Sequence, residues 1–294
     1  MDADGIGCGR RTASASVDPD NGCILKTMTH LLHTLLLGCF VLGAHTVLAQ
    51  DTLQVTDVPV KNWATAPRHS AGIAPDPAQL DGVAVVQVYA AATYGWRGLL
   101  AVHPWIIYKR MGETAYTRYD VIGWRAPQVV QRNYALPDGL WYGSTPELLV
   151  DQRGEGVELV IDDIEAAVAN YPYADHYRSY PGPNSNTFLA HIGREVPSLK
   201  LDLPANAIGK DYRPLTSPMG VSSSGSGIQF SLLGLLGISV GVQEGLELNV
   251  LGLNMGVDLN PPALRVPFWG RLGFKDVATA SPNGTSDPLP PGRP

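Results

Sequence analysis

The chain has 294 residues, of which 45% are hydrophobic and 16% are charged, and its formal net charge is −6 at pH 7. That length is enough to bury one sizeable hydrophobic core. The acidic balance supplies no positive field for phosphate backbones, so we do not expect nucleic acid as a partner. All three cysteines, Cys8, Cys23 and Cys39, precede residue 40. A chain that loses its N-terminus therefore has no disulfide, Cys-ligated zinc or Cys nucleophile.

The N-terminal sequence predicts export. Residues 1–27 are rich in Asp, Gly, Ser and Arg, and we expect them to be disordered or to precede a true start at Met28. The run Leu31–Ala49 is almost purely apolar and ends in a small-x-small pattern, which predicts a signal peptide at 28–49. An uncleaved membrane anchor is the alternative, because the run approaches the roughly 20 residues that span a bilayer. Both interpretations give an exported protein, either periplasmic or anchored in the inner membrane.

The rest of the chain is expected to form one globular domain between two less ordered ends. Residues 50–81 are rich in Pro, Ala and Asp and predict an extended lead-in. The domain is predicted to cover 82–275. Residues 276–294 are rich in Pro, Gly and Ser, which predicts a disordered tail.

The first half of this domain predicts an antiparallel sheet. Runs of β-branched residues, or of alternating apolar and polar residues, predict strands at Val83–Tyr89, Leu99–Lys109, Ala115–Trp124 and Gln128–Tyr134. Gly112 and Glu113 supply a turn, so the second and third of these strands are expected to form a hairpin.

Helices are predicted in three places. Ser144–Glu147 combines a capping hydroxyl, a proline and an acidic residue, which is typical of a helix start. Val157, Ile161, Ile164 and Val168 share one face of a second helical segment that reaches about Asn170. A third helix is predicted after Asn184, because Phe188, Ile192 and Val196 share one face.

The C-terminal third predicts further strands. Leu199–Leu203 is a strand candidate, Asn206–Tyr212 a loop and Ser222–Gly227 a flexible connector. The segments Ile238–Val242 and Leu246–Val250 alternate around a Glu-Gly turn and predict a hairpin, with another strand near Leu253–Leu259. The predicted fold class is therefore α+β, with a central antiparallel sheet, packed helices and a C-terminal β-hairpin region.

The stretch Tyr171–Ile192 is the predicted site of any chemistry. Its Pro-Gly-Pro turn leads to Ser185 at a helix start, where backbone N–H groups and the helix dipole suit an oxyanion or a capping side chain. Ser185 is the candidate nucleophile. His103, at the head of a predicted strand, is the first candidate base and His176 the second. The alternatives are that Ser185 only caps the helix and that His103 only satisfies a hydrogen bond. His191 is expected to be structural, because it lies well round the helix from Ser185.

Other residues of this stretch are candidates for substrate binding. They are Asn184, Asn186, Tyr177, Tyr180, Arg178 and His176. The tyrosines either line a groove or wedge a loop onto the core. Asp175, Arg178, Lys210 and Asp211 are candidates for an ion-binding or ion-pair set, and the alternative is that they are solvated or paired surface charges. The sequence lacks the Gly-rich phosphate loop, His-Glu-x-x-His and Gly-x-Ser-x-Gly motifs, so we expect no cofactor and no metal.

Several motifs resemble a bacterial family known as domain of unknown function 3750, over roughly Val83–Gly273. They are Trp105-Ile-Ile-Tyr-Lys, Tyr116-Thr-Arg-Tyr-Asp-Val-Ile-Gly-Trp, the run from Tyr171 to Phe188, Ala207-Ile-Gly-Lys-Asp and Glu244-Gly-Leu-Glu-Leu-Asn. That resemblance implies no activity.

A weaker similarity is to the permuted NlpC/P60 papain-like enzymes, which include the lecithin-retinol acyltransferase group. These place a His before an Asn-Cys-x-x-Phe sequence, and here His103 and Asn184-Ser185-Asn186-Thr187-Phe188 occupy those places. The similarity implies either a serine-based amidase, esterase or acyltransferase of the cell envelope, or an inactive module. In the second case the module would bind a peptidoglycan fragment, a lipid or a protein. The N-terminal apolar segment adds an expected membrane association, and the oligomeric state is left open.

Overall fold

Five short extended segments pair into an antiparallel sheet that organises the first half of the chain. The computed structural model describes residues 63–259 and 261–274, all within the compact unit Pro59–Pro294. The sheet order is β4-β3-β2-β1-β5, and every pairing is antiparallel. The strands are β1 (Val85–Ala92), β2 (Val102–Lys109), β3 (Thr117–Val121), β4 (Val130–Arg132) and β5 (Glu147–Arg153). The predicted signal segment, residues 50–62 of the lead-in and the tail lie outside the described residues.

Two helices cover one face of this sheet, because each has a continuous apolar stripe. They are α1 (Val157–Ala169) and α2 (Ser185–Glu195). Ile161 on α1 and Phe188 on α2 pack into one core with Ile106 and Tyr108 of β2. The opposite face carries a second core, in which Trp105 and other residues of the sheet pack against loop residues. The α+β class and the antiparallel sheet are therefore confirmed, as are the helices predicted after Gly156 and Asn184.

Two local predictions were wrong. Glu147 does not begin a helix; Glu147–Arg153 is β5 and pairs with β1 from Val85↔Arg153 to Ala90↔Glu147. The capping pattern there is not followed by helical spacing of apolar residues, and the open edge of β1 offers backbone partners instead. Leu199–Leu203 forms no strand; instead, a 3-10 turn ends at Leu199 and the residues after it are irregular. Its leucines are nevertheless buried in the helix-side core.

The C-terminal part forms a second sheet of seven strands. Each strand pairs with its sequence neighbours, in the order β12-β11-β10-β9-β8-β7-β6. The strands are β6 (Met219–Val221), β7 (Gly227–Leu232), β8 (Leu236–Gly241), β9 (Gly245–Val250), β10 (Leu253–Leu259), β11 (Pro262–Val266) and β12 (Gly270–Gly273). The predicted hairpin and the strand after it are confirmed as β8, β9 and β10, within a larger meander.

The serine-rich segment before β7 is not the flexible connector that its composition predicted. Ser222, Ser223 and Ser224 are buried. The Glu244 carboxylate accepts the Ser224 N–H at 2.8 Å. Burial acts to raise the pKa of Glu244, but hydrogen bonds from the Ser222 and Ser224 region hold it below its usual range. A buried acceptor therefore fixes this turn between β6 and β7.

The polar face of the seven-stranded sheet is buried against the segment that contains Lys210 and Asp211. The Lys210 ammonium lies 2.8 Å from Glu247 Oε2, and Asp211 Oδ2 accepts N–H groups from Asn249 and Asn254 at 2.7 Å each. The expectation that Lys210 and Asp211 are surface charges is therefore wrong. Complementary polar groups on β9 and β10 let them be buried.

Within the described ranges, no helix is both long enough and apolar enough to cross a membrane.

Candidate functional site

Asn184, not Ser185, caps helix α2. Its side-chain oxygen accepts the N–H groups of Asn186 at 2.9 Å and Thr187 at 3.2 Å, and the Thr187 hydroxyl accepts the Asn184 N–H at 3.1 Å. This reciprocal capping box satisfies the free donors of the first turn without the serine. Ser185 is buried, with 4% of its surface exposed, and its hydroxyl is not needed for capping.

The residues around Ser185 tie the helix start to the loop at 206–212. The side-chain amides of Asn184 and Asn186 donate to the Ile208 carbonyl at 2.9 and 2.8 Å. The Thr187 hydroxyl donates to the Gly209 carbonyl at 2.8 Å. Both asparagines that the sequence suggested for substrate binding thus have backbone partners within the protein.

His103 and Ser185 lie on opposite sides of the five-stranded sheet. Successive side chains of a strand point to opposite faces. Val102 packs with the helix-side core that contains Phe188, whereas His103 stacks on Trp141 of the second core. The sheet therefore separates the two side chains that the sequence paired as base and nucleophile.

The structure brings His103 together with Asp120, Arg118 and two tryptophans. His103 Nε2 lies 3.5 Å from Asp120 Oδ2, and the imidazole stacks on Trp141 with ring centroids 3.7 Å apart. Arg118 Nη2 lies 2.8 Å from the same carboxylate oxygen, and its guanidinium lies 4.1 Å from the centroid of Trp105. The sequence pattern predicted a strand here, but not that Arg118 and Asp120 would form a buried ion pair on it.

Burial lowers the pKa of the His103 imidazole below its usual range, although the Asp120 carboxylate opposes the shift. The unfolded chain takes up a proton near the ordinary histidine pKa of about 6.5, while the folded chain resists it. The contribution of His103 to folding stability is therefore fully present above about pH 7, and it is lost as the pH falls towards the pKa of His103 in the folded chain.

We expect the unfolding free energy of His103→Asn to depend less on pH than that of the wild type. Urea unfolding of both proteins at pH 8 and pH 5.5 measures this difference. The other titrating groups are common to both proteins, so their contributions cancel. A wild type that gains stability over the variant at the lower pH would contradict the assignment.

The other residues suggested for substrate binding are spread over the surface after Tyr173. His176 is exposed, with Nδ1 3.4 Å from Asp175 Oδ1, and Arg178 is exposed. The Tyr180 hydroxyl donates to the Leu251 carbonyl at 3.1 Å. The Tyr177 ring packs on Gly123, where an added Cβ would lie 2.5 Å from it. These contacts link the loop to its surroundings and do not converge on Ser185.

A different group of side chains does converge, in a cleft of about 250 Å³ beside α2. Its lining includes Tyr171, Tyr173, His191, Arg194, Tyr212 and Arg213, together with the exposed carboxylate of Glu195. Tyr173 meets both other rings edge to face, with centroids 5.7 Å apart in each pair. The cleft thus has aromatic walls, two cationic groups and one acidic group at its exposed side.

Neither arginine of the cleft has a carboxylate ion pair within the described residues. Arg194 Nη2 donates only to neutral oxygens, the Lys210 carbonyl at 3.0 Å and Gln229 Oε1 at 3.1 Å. Burial and the neighbouring Arg213 lower the pKa of Arg194 to about 10. Burial also lowers the pKa of Arg213. Asp211 and Glu244 offset part of the Arg194 charge, but neither guanidinium has a direct carboxylate partner in the described residues, which favours an anion between them.

Two buried donors of the cleft have no partner in the described part of the chain. They are Arg213 Nε and the hydroxyl of Tyr171, a residue that is 5% exposed. Buried polar atoms without partners are rare and costly in folded proteins. Arg213 reaches this place because it crosses Gly220, where a Cβ would lie 1.6 Å from Arg213 Nη2. Sequence reasoning missed both arginines, since neither belongs to a recognisable motif.

No group of three His, Cys, Asp or Glu side chains suited to a metal ion occurs in residues 63–259 and 261–274.

No curated protein and no solved structure shows detectable similarity to the chain. The expected family resemblance extended to Gly273, but the family match ends at Tyr212, before the seven-stranded sheet. Glu244–Asn249 therefore lies outside it. Residues 83–212, which hold the five-stranded sheet and both helices, match the family described as "Protein of unknown function (DUF3750)".

Proposed function

We propose that the protein is an exported binding module of the bacterial envelope, which holds an anionic ligand in the cleft between Arg194 and Arg213. The observation that carries the proposal is the pair of adjacent guanidinium groups without a carboxylate partner in the described chain. Export is supported by the apolar run Leu31–Ala49.

The chemistry of the cleft favours a carboxylate or a phosphate. Guanidinium groups present planar arrays of donors that match the oxygens of both anions. The unpartnered Arg213 Nε and Tyr171 hydroxyl supply further donors. In a bacterial envelope such anions occur on peptidoglycan peptides and on phospholipid headgroups, and both fit the size of a small polar cleft.

Arg213→Gln is expected to weaken binding of an anion about 10- to 100-fold, the loss of one hydrogen bond to a charged group. Gly220→Ala should weaken it as well, because the new Cβ would displace the Arg213 guanidinium. Isothermal titration with inorganic phosphate and with acetate measures both effects. Dihexanoyl phosphatidylglycerol and muramyl dipeptide then distinguish a lipid source from a peptidoglycan source.

Arg178→Gln is the matched control, since Arg178 is an exposed arginine of the same region and lies outside the cleft lining. We expect its affinity to equal that of the wild type. Equal losses in Arg178→Gln and Arg213→Gln would indicate only general electrostatics and would contradict the site. Absence of binding of all four probes to the wild type would contradict the proposed function.

Serine-based acyl transfer at Ser185, on a permuted papain-like fold, is the second candidate function. The capping box of Asn184 favours it, because it leaves the Ser185 hydroxyl free of the capping role. The position of His103 on the other side of the sheet counts against the expected base. A fluorophosphonate probe that labels the wild type but not Ser185→Ala would establish this function, and we expect no such labelling.

A further inference from the structure

The seven-stranded sheet has its polar side buried and its apolar side exposed. In β7, Gln229 and Ser231 are buried while Ile228 is 68% exposed, and the same alternation continues through β11. Because successive side chains alternate between the two faces of a strand, each strand directs its polar residues to the buried face and its apolar residues to the exposed face. A soluble sheet with one covered face normally shows the opposite pattern.

The exposed side is one uninterrupted apolar surface, which we call the outer face. Cross-strand partners form a row that runs from Val221 on β6 through Val240 on β8 and Leu246 on β9 to Leu272 on β12. The outward positions of β6–β11 are all apolar, and the charged residues of these strands point inward. A shallow depression of about 540 Å³ near Phe230 adds a recess on this surface.

The size of the outer face reaches the upper end of what an isolated monomer usually exposes. Seven strands spaced about 4.8 Å apart and about 20 Å long give about 600 Å² of planar surface. The largest apolar patch of a typical monomer is about 300–600 Å² and is often functional. Side-chain relief adds further accessible area, so two such faces in contact would bury at least about 1,200 Å², the lower bound for a stable interface.

We infer that the outer face is the interface with a second copy of this chain. Two sheets pack face to face at about 10 Å, with interdigitated side chains, and a two-fold axis lets one surface serve both copies. A bilayer is the less suitable cover. The edge strands β6 and β12 have unpaired backbone groups that hydrocarbon cannot satisfy.

The charge of the outer face also favours a second copy over a membrane surface. Peripheral membrane sites combine apolar residues with Lys and Arg that attract anionic lipids. The outward positions of β6–β11 carry no such cation, and the chain has a net charge of −6. An uncharged, self-complementary surface suits another identical surface, since neither copy has to bury an unpaired charge.

Leu248→Lys is expected to raise the dissociation constant of the dimer at least 100-fold. Leu248 lies on the central strand β9, so a two-fold axis near the middle of the sheet would bring the two introduced charges together. Sedimentation equilibrium of the full chain, in detergent-free buffer, measures the constant. Leu159→Lys, at a 69% exposed apolar residue of α1, is the control and should leave it unchanged. Circular dichroism checks that both variants fold.

Crosslinking provides an independent readout that does not depend on solubility. With Cys8, Cys23 and Cys39 changed to Ser, Leu248→Cys should form a disulfide-linked dimer on oxidation, whereas Leu159→Cys should not. A wild type that stays monomeric, or equal crosslinking at both positions, would overturn the inference. So would a monomer that binds phosphatidylglycerol vesicles through Leu248, or a Leu248 crosslink to residues 31–49 of the same chain. The second of these crosslinks is tested in a variant that keeps Cys39, where it would be a disulfide between Leu248→Cys and Cys39. These outcomes would identify lipid or the chain's own apolar segment as the occupant.

Discussion

Asp120→Ala is expected to lower the free energy of unfolding by about 3–5 kcal/mol, because it leaves the Arg118 guanidinium buried without its carboxylate. Arg118 and Asp120 have side-chain exposures of 1% and 0%, and Arg118 Nε and Nη2 both donate to Asp120 Oδ2. His103 loses its charged neighbour in the same variant. Urea unfolding at pH 8, where the imidazole is neutral, isolates the ion-pair effect from that of histidine protonation.

The chain contains a matched control for this prediction. Arg153 and Asp151 are also two residues apart on a strand of the same sheet, and Arg153 Nη2 lies 2.7 Å from Asp151 Oδ2. Their side chains are 39% and 20% exposed, so solvent screens the pair. Asp151→Ala should therefore cost only about 0–1 kcal/mol. Equal losses in Asp120→Ala and Asp151→Ala would show that burial does not control the strength of these pairs.

Lys210→Met should also lower the unfolding free energy by about 3–5 kcal/mol, the cost of removing one partner from a buried ion pair. Lys210 donates to both oxygens of Glu247, at 3.0 and 2.8 Å, and to the Leu203 carbonyl at 3.0 Å. Lys210 lies in the family-matched segment, while Glu247 is on β9. The pair thus joins this segment to the seven-stranded sheet.

The loss in Lys210→Met is expected to grow with pH. Burial raises the pKa of Glu247 to about 7 even with Lys210 and Arg265 beside it, and removal of Lys210 raises it further. A carboxyl whose folded pKa is raised stabilises the fold at low pH, and that stability is lost as the pH rises through the folded pKa. Unfolding at pH 5 and pH 8 measures the trend. Lys210→Met with Glu247→Gln should recover part of the loss, and a double variant no better than the single one would contradict the coupling.

Hydrophobic periodicity and capping patterns correctly predicted the helices and strands whose signals lie within the segment itself. Helix α2 begins after Asn184, where a capping residue precedes an apolar stripe, and β8 and β9 flank a Glu-Gly turn. The prediction failed at β5, because a cap-like pattern at Glu147 is local, whereas the free edge of β1 that captures the segment is distant in sequence.

The candidate site was harder to predict, because it depends on which face of a sheet each side chain occupies. His103 and Ser185 match the order of a known enzyme pattern, yet the alternation of β2 directs His103 away from the helix side. Lys210 and Asp211 were expected at the surface because their buried side-chain partners lie 18 to 43 residues later in the chain. Arg194 and Arg213 come together only through the tertiary packing of α2 with the loop before β6.

The ¹H–¹⁵N NMR signal of Arg213 Nε tests most directly whether the cleft is an anion site. We predict that inorganic phosphate added to the full chain at pH 7 shifts this signal in a saturable way, because the buried Nε–H gains an acceptor. The Nε signal of the exposed Arg178 should not saturate. An Arg213 signal that stays unchanged, or that shifts only in step with Arg178, would contradict the proposed site.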